Sequence, residues 1–177
     1  FDAEHADAFV GRNNVTAKLL DAMGAQIDNE LRFVLLVGAS GCGKTSLLRA
    51  GALPRLTSEK RASPLHSISV ADCDLSAITD GDLLMPLASA LCAWSLPGGQ
   101  VFSMQTPGSL KERMSEAPEA IPTLLTQAFQ RHPMRDLEAN PHAHLLLIVD
   151  HAEALVSTPR SPDALAAFEH ALCALCE

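Results

Sequence analysis

The sequence predicts an α/β fold in which the strands of a parallel sheet alternate with helices. Two apolar runs, residues 33–37 and residues 145–149, have the length and continuity of strands that are covered on both faces. Segments with apolar residues at helical spacing follow both runs. Because this alternation places helices against a parallel sheet, it indicates the α/β class.

Length, composition and charge narrow the class of protein further. The 177 residues, 47% of them hydrophobic, suffice for a single domain, residues 1–177, with its own core. The formal net charge is −8 and the basic residues are dispersed. We therefore expect no direct nucleic-acid binding, which needs a clustered basic face. No run is long enough to span a membrane.

The cysteines indicate the redox compartment of the protein, and the first residue indicates that the sequence is part of a longer chain. Five cysteines fit no disulfide framework, which suits a reducing cytoplasm. The chain begins with Phe1 rather than Met. We therefore expect it to be a piece of a longer protein.

The first third of the chain predicts a helix, a strand and a second helix. Asn13 or Asn14 can cap a helix with apolar residues at spacing four, namely Val15, Leu19, Met23 and Ile27. The apolar run 33–37 follows as the first strand. The helix after it is expected to stop near Gly51, with Pro54 just beyond.

The middle of the chain predicts a second strand and two helices. Residues 66–71 alternate weakly in hydropathy and end in Asp72, so they predict a strand. Asp80 or Asp82 opens a helix with one apolar face, formed by Leu83, Leu87 and Leu91. Ser109 and Glu112 have the spacing of a capping box for a short helix. Residues 97–118 are the least regular part, and we predict an insertion or lid there.

The last third predicts a helix, a buried strand and a final helix. Residues 122–130 have a helical apolar pattern, and a loop with two prolines follows over residues 132–144. The apolar run 145–149 is the next strand. Ser161 then caps a helix that has Pro162 in its first turn, with Leu165, Phe168, Leu172 and Leu175 facing inward.

Residues 38–45 match the phosphate-binding sequence G-x-x-x-x-G-K-[ST], also called a Walker A motif, with a predicted strand before and a helix after. Its glycines let backbone N–H groups line a polyanionic phosphate, and the helix N-terminus adds a positive end. Lys44 is predicted to bind the β- and γ-phosphates, and the Thr45 hydroxyl to bind Mg²⁺. We predict nucleotide contacts from Gly38, Ser40, Gly41, Cys42, Gly43, Lys44, Thr45 and Ser46.

Asp150 ends the apolar run 145–149, as the acid of a Walker B element does. An acidic residue at the carboxyl end of a buried strand is well placed to coordinate Mg²⁺ directly or through water. Many related ATPases have Glu immediately afterwards to orient the attacking water, but His151 stands there. Glu153 is the nearest acid and is the candidate catalytic residue with Lys44. Alternatively, Glu153 is a capping or salt-bridging residue at the start of the next helix.

Several segments together resemble the STAND NTPases, signal transduction ATPases with numerous domains that are related to the AAA+ class. The phosphate loop runs into Leu-x-Arg-Ala-Gly-x-x-Pro over residues 47–54, as in a bacterial novel-STAND subgroup. Residues 9–12 (Phe-Val-Gly-Arg) are similar to the motif that opens the domain, and residues 145–155 to the strand with Asp, two residues, then Glu. His151, Ala152 and Ala154 depart from the family's usual Gln, aromatic and acidic residues.

The resemblance implies a P-loop NTPase of the AAA+/STAND type, a three-layer α/β/α fold with a parallel sheet. The chain would be the N-terminal part of the NTPase domain, with the sheet incomplete at its C-terminal side. The resemblance also implies ATP or ADP with Mg²⁺ as ligands, with Val10, Gly11 and Arg12 near the adenine. No Asn-Lys-x-Asp motif for guanine occurs.

Two functions follow from the resemblance and from the incomplete catalytic set. The first is a cytoplasmic ATP-binding switch with slow or triggered ATPase activity, in signalling or antiviral defence. Its nucleotide state would control oligomerisation and a fused effector, with further sensor domains outside this segment. The alternative is an AAA+ ATPase that hydrolyses continuously to remodel protein or DNA. A degenerate scaffold is disfavoured, because Gly43, Lys44 and Thr45 are intact.

Overall fold

The computed structural model describes residues 11–28, 32–57, 68–76, 78, 81–96, 99–131, 144–157 and 161–176. These residues form helices and short strands in alternation and divide into two units. The first unit comprises residues 1–68 and 142–144, and the second comprises residues 69–141 and 145–177. The glycine-rich loop belongs to the first unit, and Asp150 belongs to the second.

A long helix, α1 (Asn13–Asp28), opens the described part of the first unit where the sequence predicts it. Its buried side chains include Leu19 and Thr16, whereas Val15 is 48% exposed. The inward face is thus turned by about one residue from the predicted one. Thr16 is tolerated inside because its hydroxyl donates to the Arg12 carbonyl at 3.0 Å.

The helix after the glycine-rich loop is longer than predicted. It runs without a break through α2 (Lys44–Ser46), a π-helical segment (Leu47–Ala52) that packs against α1, and α3 (Leu53–Leu56). The Leu53 N–H donates to the Leu48 carbonyl, the wider bond of a π turn. Pro54 is the second residue of α3, so the helix continues past it. The predicted stop near Gly51 is therefore wrong.

Residues 33–37 do not form the predicted first strand. The backbone of residues 32–39 has no regular structure, and Phe33, Leu35 and Val37 are 62%, 67% and 80% exposed. A strand is held by ladder hydrogen bonds to a neighbouring strand, and none of the described strands pairs with this run. The prediction of a strand here is wrong for this structure, and the three-layer arrangement stays a prediction.

The described residues contain four strands in two small sheets, which lie in the second unit except for residues 68 and 144. The strands are β1 (Ile68–Asp74), β2 (Ser95–Leu96), β3 (Gly99–Gln100) and β4 (His144–Asp150). β1 pairs with β4, and β2 pairs antiparallel with β3. The Leu75 N–H donates to the Asp150 carbonyl at 3.1 Å, so the carboxyl ends of β1 and β4 meet and the pair is parallel. This mixed, partly parallel structure is compatible with the predicted α/β class.

Five α-helices enclose one apolar core in the second unit. They are α4 (Leu84–Ala93), α5 (Pro107–Glu116), α6 (Ile121–Arg131), α7 (Ala154–Ser157) and α8 (Pro162–Leu175), with a 3-10 turn at Pro118–Ala120 before α6. Leu87, Met114 and Phe168 are fully or almost fully buried in this core. Trp94 packs edge to face on Phe129, with ring centroids 5.0 Å apart.

The start of α5 corrects the predicted capping box. Thr106 caps the helix, and its hydroxyl oxygen accepts from the Ser109 N–H at 3.2 Å. Because Pro107 fits a first helical position, the helix begins before Ser109 and leaves it inside the first turn. The described residues of the predicted insertion or lid, 99–118, include β3 and α5 and contribute four buried side chains to the core, namely Val101, Phe102, Leu110 and Met114. The insertion-or-lid assignment itself stays a prediction.

Other predicted boundaries shift by a few residues. β1 ends at Asp74, two residues later than predicted, and residues 66–67 lie outside the described residues. Asp82 accepts from the Met85 N–H at 3.2 Å, at the start of α4. Asp80 and residues 132–143 of the predicted loop also lie outside the described residues.

Candidate nucleotide-binding site

The backbone of the glycine-rich loop requires glycine for steric reasons. Gly43 precedes α2 with φ 84° and Gly41 has φ 74°. Residues other than glycine rarely adopt such positive φ values. A Cβ on Gly38 would lie 2.7 Å from the Cys42 sulfur. The Cys42 N–H donates to the Ala39 carbonyl at 3.2 Å and closes the turn. A side chain at position 38 would therefore crowd Cys42 and one at position 43 would crowd Arg12, whereas position 41 requires glycine for its φ alone.

Two cationic side chains lie on this loop. Lys44 Nζ donates to the carbonyls of Gly38 at 3.0 Å and Ala39 at 3.2 Å. Arg12 reaches the loop from the start of α1, and its Nη1 donates to the Cys42 carbonyl at 2.7 Å. A guanidinium and an ammonium on one loop suit a phosphate, which both groups bind readily.

The structure brings most of the predicted loop contacts together and leaves one outside. Ser40 and Cys42 are exposed in the turn, while Thr45 and Ser46 are half-buried in the first turn of the helix. Gly11 is exposed with φ 95°, next to Arg12. Val10 lies outside the described residues.

The arginine that approaches the loop is held by neighbours in its own unit. The Thr16 N–H and hydroxyl both donate to the Arg12 carbonyl, at 2.9 and 3.0 Å. Arg55 Nη2 donates to the side-chain oxygen of Asn13 at 2.6 Å, which ties α3 to the start of α1. Hydrogen bonds therefore fix the start of α1, next to which Arg12 lies.

Asp150 lies where the sequence predicts, at the carboxyl end of β4. Its side chain is 14% exposed, and its Oδ1 accepts from the His151 N–H at 2.9 Å. Carboxylate and hydroxyl oxygens are ligands that Mg²⁺ prefers, so the donors of Asp150 and Thr45 suit that ion. The two residues belong to different units, and joint coordination of one ion stays a prediction.

The two residues weighed for the hydrolytic step differ in how they are held. Glu153 is exposed just before α7, and its carbonyl accepts from the Val156 N–H at 3.2 Å. His151 has φ 57°, and its Nδ1 lies 2.9 Å from Asp74 Oδ1. The catalytic assignment of Glu153 and Lys44 stays a prediction.

Asp74 is the residue of this cluster that the sequence prediction missed, because β1 was expected to end at Asp72. The carboxyl ends of paired parallel strands share one edge of a sheet, so an acid at the true end of β1 must lie near Asp150. The signal was therefore present, but it depended on placing the strand end within two residues.

Two side chains at the end of β1 have shifted pKa values. The backbone N–H of Ser76 donates to Asp74 Oδ1 at 2.8 Å and, with His151, lowers the pKa of Asp74. Burial raises the pKa of the Cys73 thiol to about 12, with Asp72 and Asp74 adding to the effect. Asp74 therefore stays ionised at neutral pH, and the Cys73 thiol stays protonated.

The described ranges contain neither a metal-binding cluster nor a membrane-spanning helix. Among these residues no group of three His, Cys, Asp or Glu side chains is placed to hold a metal ion. None of the helices in the described part has the length and hydropathy needed to cross a bilayer. All five cysteines are free thiols.

A glycine-rich loop ahead of a helix, with two cations over it, is the arrangement that nucleotide-binding proteins of the α/β class use for phosphate. The family model described as Novel STAND NTPase 1 matches residues 1–177. Because this match spans the whole sequence, the chain belongs to the Novel STAND NTPase 1 family, which confirms the predicted family. No curated protein and no solved structure matches it significantly. The chain is thus an NTPase domain of the STAND type, a type that uses a nucleotide and usually Mg²⁺.

Proposed function

We propose that this domain binds ATP with Mg²⁺ and acts as a switch set by the bound nucleotide. The observation that carries the proposal is the phosphate loop, in which Lys44 and Arg12 both approach a backbone kept open by glycine. A polyanion there would gain charge-assisted hydrogen bonds from both side chains. Family membership supports a nucleoside triphosphate as that polyanion.

Each predicted site residue has a role in this proposal. Lys44 exchanges its contacts with the loop carbonyls for the β- and γ-phosphates. Thr45 and Asp150 supply oxygen ligands to Mg²⁺, and Glu153 is the acid available for hydrolysis. The family resemblance implies that Val10, Gly11 and Arg12 lie towards the adenine, and the Arg12 side chain reaches from there to the phosphate loop.

The proposed switch hydrolyses ATP slowly or only when triggered, because His151 occupies the position where many ATPases of this broad type carry glutamate. Exchange of ADP for ATP then shifts the protein from a closed monomer towards an oligomer and activates an effector domain fused outside this segment. We place this activity in the cytoplasm, in bacterial signalling or antiviral defence. No direct contact with nucleic acid is required of this domain.

Calorimetric titration with ATP, ADP and GTP in the presence of Mg²⁺ tests the nucleotide site. We expect adenine nucleotides to bind. Lys44→Ala should lower the affinity for ATP by at least about tenfold, since a charge-assisted contact is worth roughly 1.5–3 kcal/mol. Lys18→Ala is the matched control, because it removes the same charge from an exposed position on α1. Equal ATP affinity in both variants, or no binding by folded wild-type protein, would overturn the proposal.

A further inference from the structure

The carboxyl ends of β1 and β4 bring a histidine between two carboxylates, all within the second unit. His151 Nδ1 lies 2.9 Å from Asp74 Oδ1 and 3.9 Å from Asp150 Oδ1. The two aspartates end neighbouring parallel strands. The imidazole is thus attached to Asp74 by a hydrogen bond and lies beside the predicted Mg²⁺ ligand.

The backbone of His151 is in a conformation that a histidine rarely adopts. It is the one described residue other than glycine with positive φ, at 57°. In this conformation its N–H donates to Asp150 Oδ1, its carbonyl accepts from Ala154, and its ring contacts Asp74. Strain held in place by several contacts points to a function for the side chain concerned.

The contact with Asp74 determines which ring nitrogen is available. An ionised carboxylate only accepts hydrogen bonds, so Nδ1 must carry the hydrogen that it shares with Asp74. In the neutral ring Nε2 is then the acceptor. The side chain of His151 is 42% exposed, which leaves part of the ring open to water.

We propose that His151 positions the attacking water through Nε2, and that Asp74 is a positioning residue that fixes the ring. The inference rests on the proposed ATP-binding function. In the step itself the water oxygen attacks the γ-phosphorus, and the bond to the β–γ bridging oxygen breaks. ADP leaves with that electron pair, one water proton stays on the phosphate, and the other passes to solvent. His151 contributes an acceptor that orients the water, as glutamine does in other nucleotide hydrolases.

The geometry favours His151 over Glu153 for this role. Two contacts fix the orientation of His151, its ring to Asp74 and its N–H to Asp150. Glu153 is exposed ahead of a four-residue helix, and no described residue holds its carboxylate. Orienting a water requires an acceptor with a fixed direction, and of these two residues His151 provides one.

Single-turnover hydrolysis and ATP titration on the same variants test the inference. His151→Gly removes the ring but accepts φ 57° without strain, and we expect hydrolysis to slow about ten- to a hundredfold with ATP affinity within twofold of wild type. His151→Gln should recover part of the rate, because its amide oxygen can accept from water. Asp74→Ala should slow hydrolysis, whereas Asp72→Ala, two residues earlier on β1, should not.

A spectroscopic measurement separates this role from a merely structural one. In ¹⁵N spectra of the imidazoles at pH 8, assigned with His151→Gln, we expect His151 to carry its proton on Nδ1. Asp74→Ala should shift the ring towards the Nε2-protonated form, and Asp72→Ala should leave it unchanged. An Nε2-protonated ring in the wild-type protein would overturn the inference.

The outcomes distinguish this inference from the function on which it rests. Full hydrolysis by His151→Gly, with hydrolysis lost in Glu153→Gln, would assign the water to Glu153 and overturn the role of His151. ATP binding without any hydrolysis by wild-type protein would overturn the inference alone. No ATP binding by folded wild-type protein would overturn the proposed function as well.

Discussion

At the residue scale, the contact between Arg12 and the phosphate loop makes Gly43 more sensitive than Gly41. Both glycines have positive φ, so alanine at either position costs about 1 kcal/mol of backbone strain. A Cβ on Gly43 would in addition lie 3.1 Å from Arg12 Nη1, whereas one on Gly41 meets nothing within 4 Å. Gly43→Ala should therefore also displace the Arg12 guanidinium by a few tenths of an ångström and weaken its hydrogen bond to the Cys42 carbonyl.

We expect Gly43→Ala to lower the free energy of unfolding more than Gly41→Ala does, by up to about 1 kcal/mol, because at most one hydrogen bond is weakened. Denaturant unfolding of both variants measures the difference. Repeating the pair in an Arg12→Ala background should make the two losses equal. A difference that persists without Arg12 would show that the guanidinium is not its cause.

A second residue-scale prediction concerns pH and Cys73, which burial keeps protonated. The pKa of its thiol rises from 9.0 to about 12. Below pH 9 the thiol is protonated in both states, and between pH 9 and 12 only the folded state keeps the proton. The free energy of unfolding should therefore fall as the pH rises through this window, by up to about 1.4 kcal/mol per unit.

Urea unfolding at a series of alkaline pH values measures this slope. Cys73→Ala should remove most of it and leave the smaller part due to Cys92, whose thiol pKa burial also raises, while Cys173→Ala, at an exposed position on α8, should keep the full slope. Because the chain contains no tyrosine, no phenol titrates in the same range. An unchanged slope in Cys73→Ala would refute the assignment.

At the element scale, the exposure of residues 33–37 predicts an unusual tolerance of substitution. Leu35 is 67% exposed, whereas Leu87 on α4 is fully buried. Leu35→Ala should change the free energy of unfolding of this chain by less than about 0.5 kcal/mol. Leu87→Ala should cost about 2–5 kcal/mol, because it leaves a cavity in the core. A comparable loss in both variants, measured by denaturant unfolding, would mean that residues 33–37 are covered.

The same comparison shows which elements the sequence could predict. α1, α6 and α8 were found from spacing within each segment, since helical hydrogen bonds are local. The run 33–37 has the apolar composition of a strand, but a strand also needs a partner that its own residues do not specify. The helix through Gly51 was missed because a π turn depends on packing against α1, not on the residue types in the turn.

The candidate site divides in the same way between local and distant contacts. The phosphate loop was predictable because its glycines and Lys44 lie within eight consecutive residues. The hydrogen bond from Arg12 to Cys42 joins residues 30 apart, and that between His151 and Asp74 joins residues 77 apart. Such pairs arise only from the fold, so the sequence named Arg12, Cys42 and His151 without pairing them and missed Asp74.

At the scale of the whole molecule, the switch requires that ATP and ADP favour different assembly states. Moving an equilibrium from 1:99 to 99:1 takes about a 10⁴-fold difference in affinity for the two states. ATP and ADP differ by the γ-phosphate, so contacts to that group must supply the difference. Lys44 is the residue of the phosphate loop proposed to bind it, and its loss should remove the dependence of assembly on ATP.

Light scattering on the full-length protein with Mg²⁺ and either nucleotide tests this expectation. We expect a monomer with ADP and a larger species with ATP, once the activating signal is supplied. The Lys44→Ala variant should stay monomeric with either nucleotide, and the Lys18→Ala variant should behave as the wild-type protein does. A single size under every nucleotide and trigger would contradict the switch while leaving nucleotide binding intact, because binding and assembly are coupled only if the γ-phosphate distinguishes the two states.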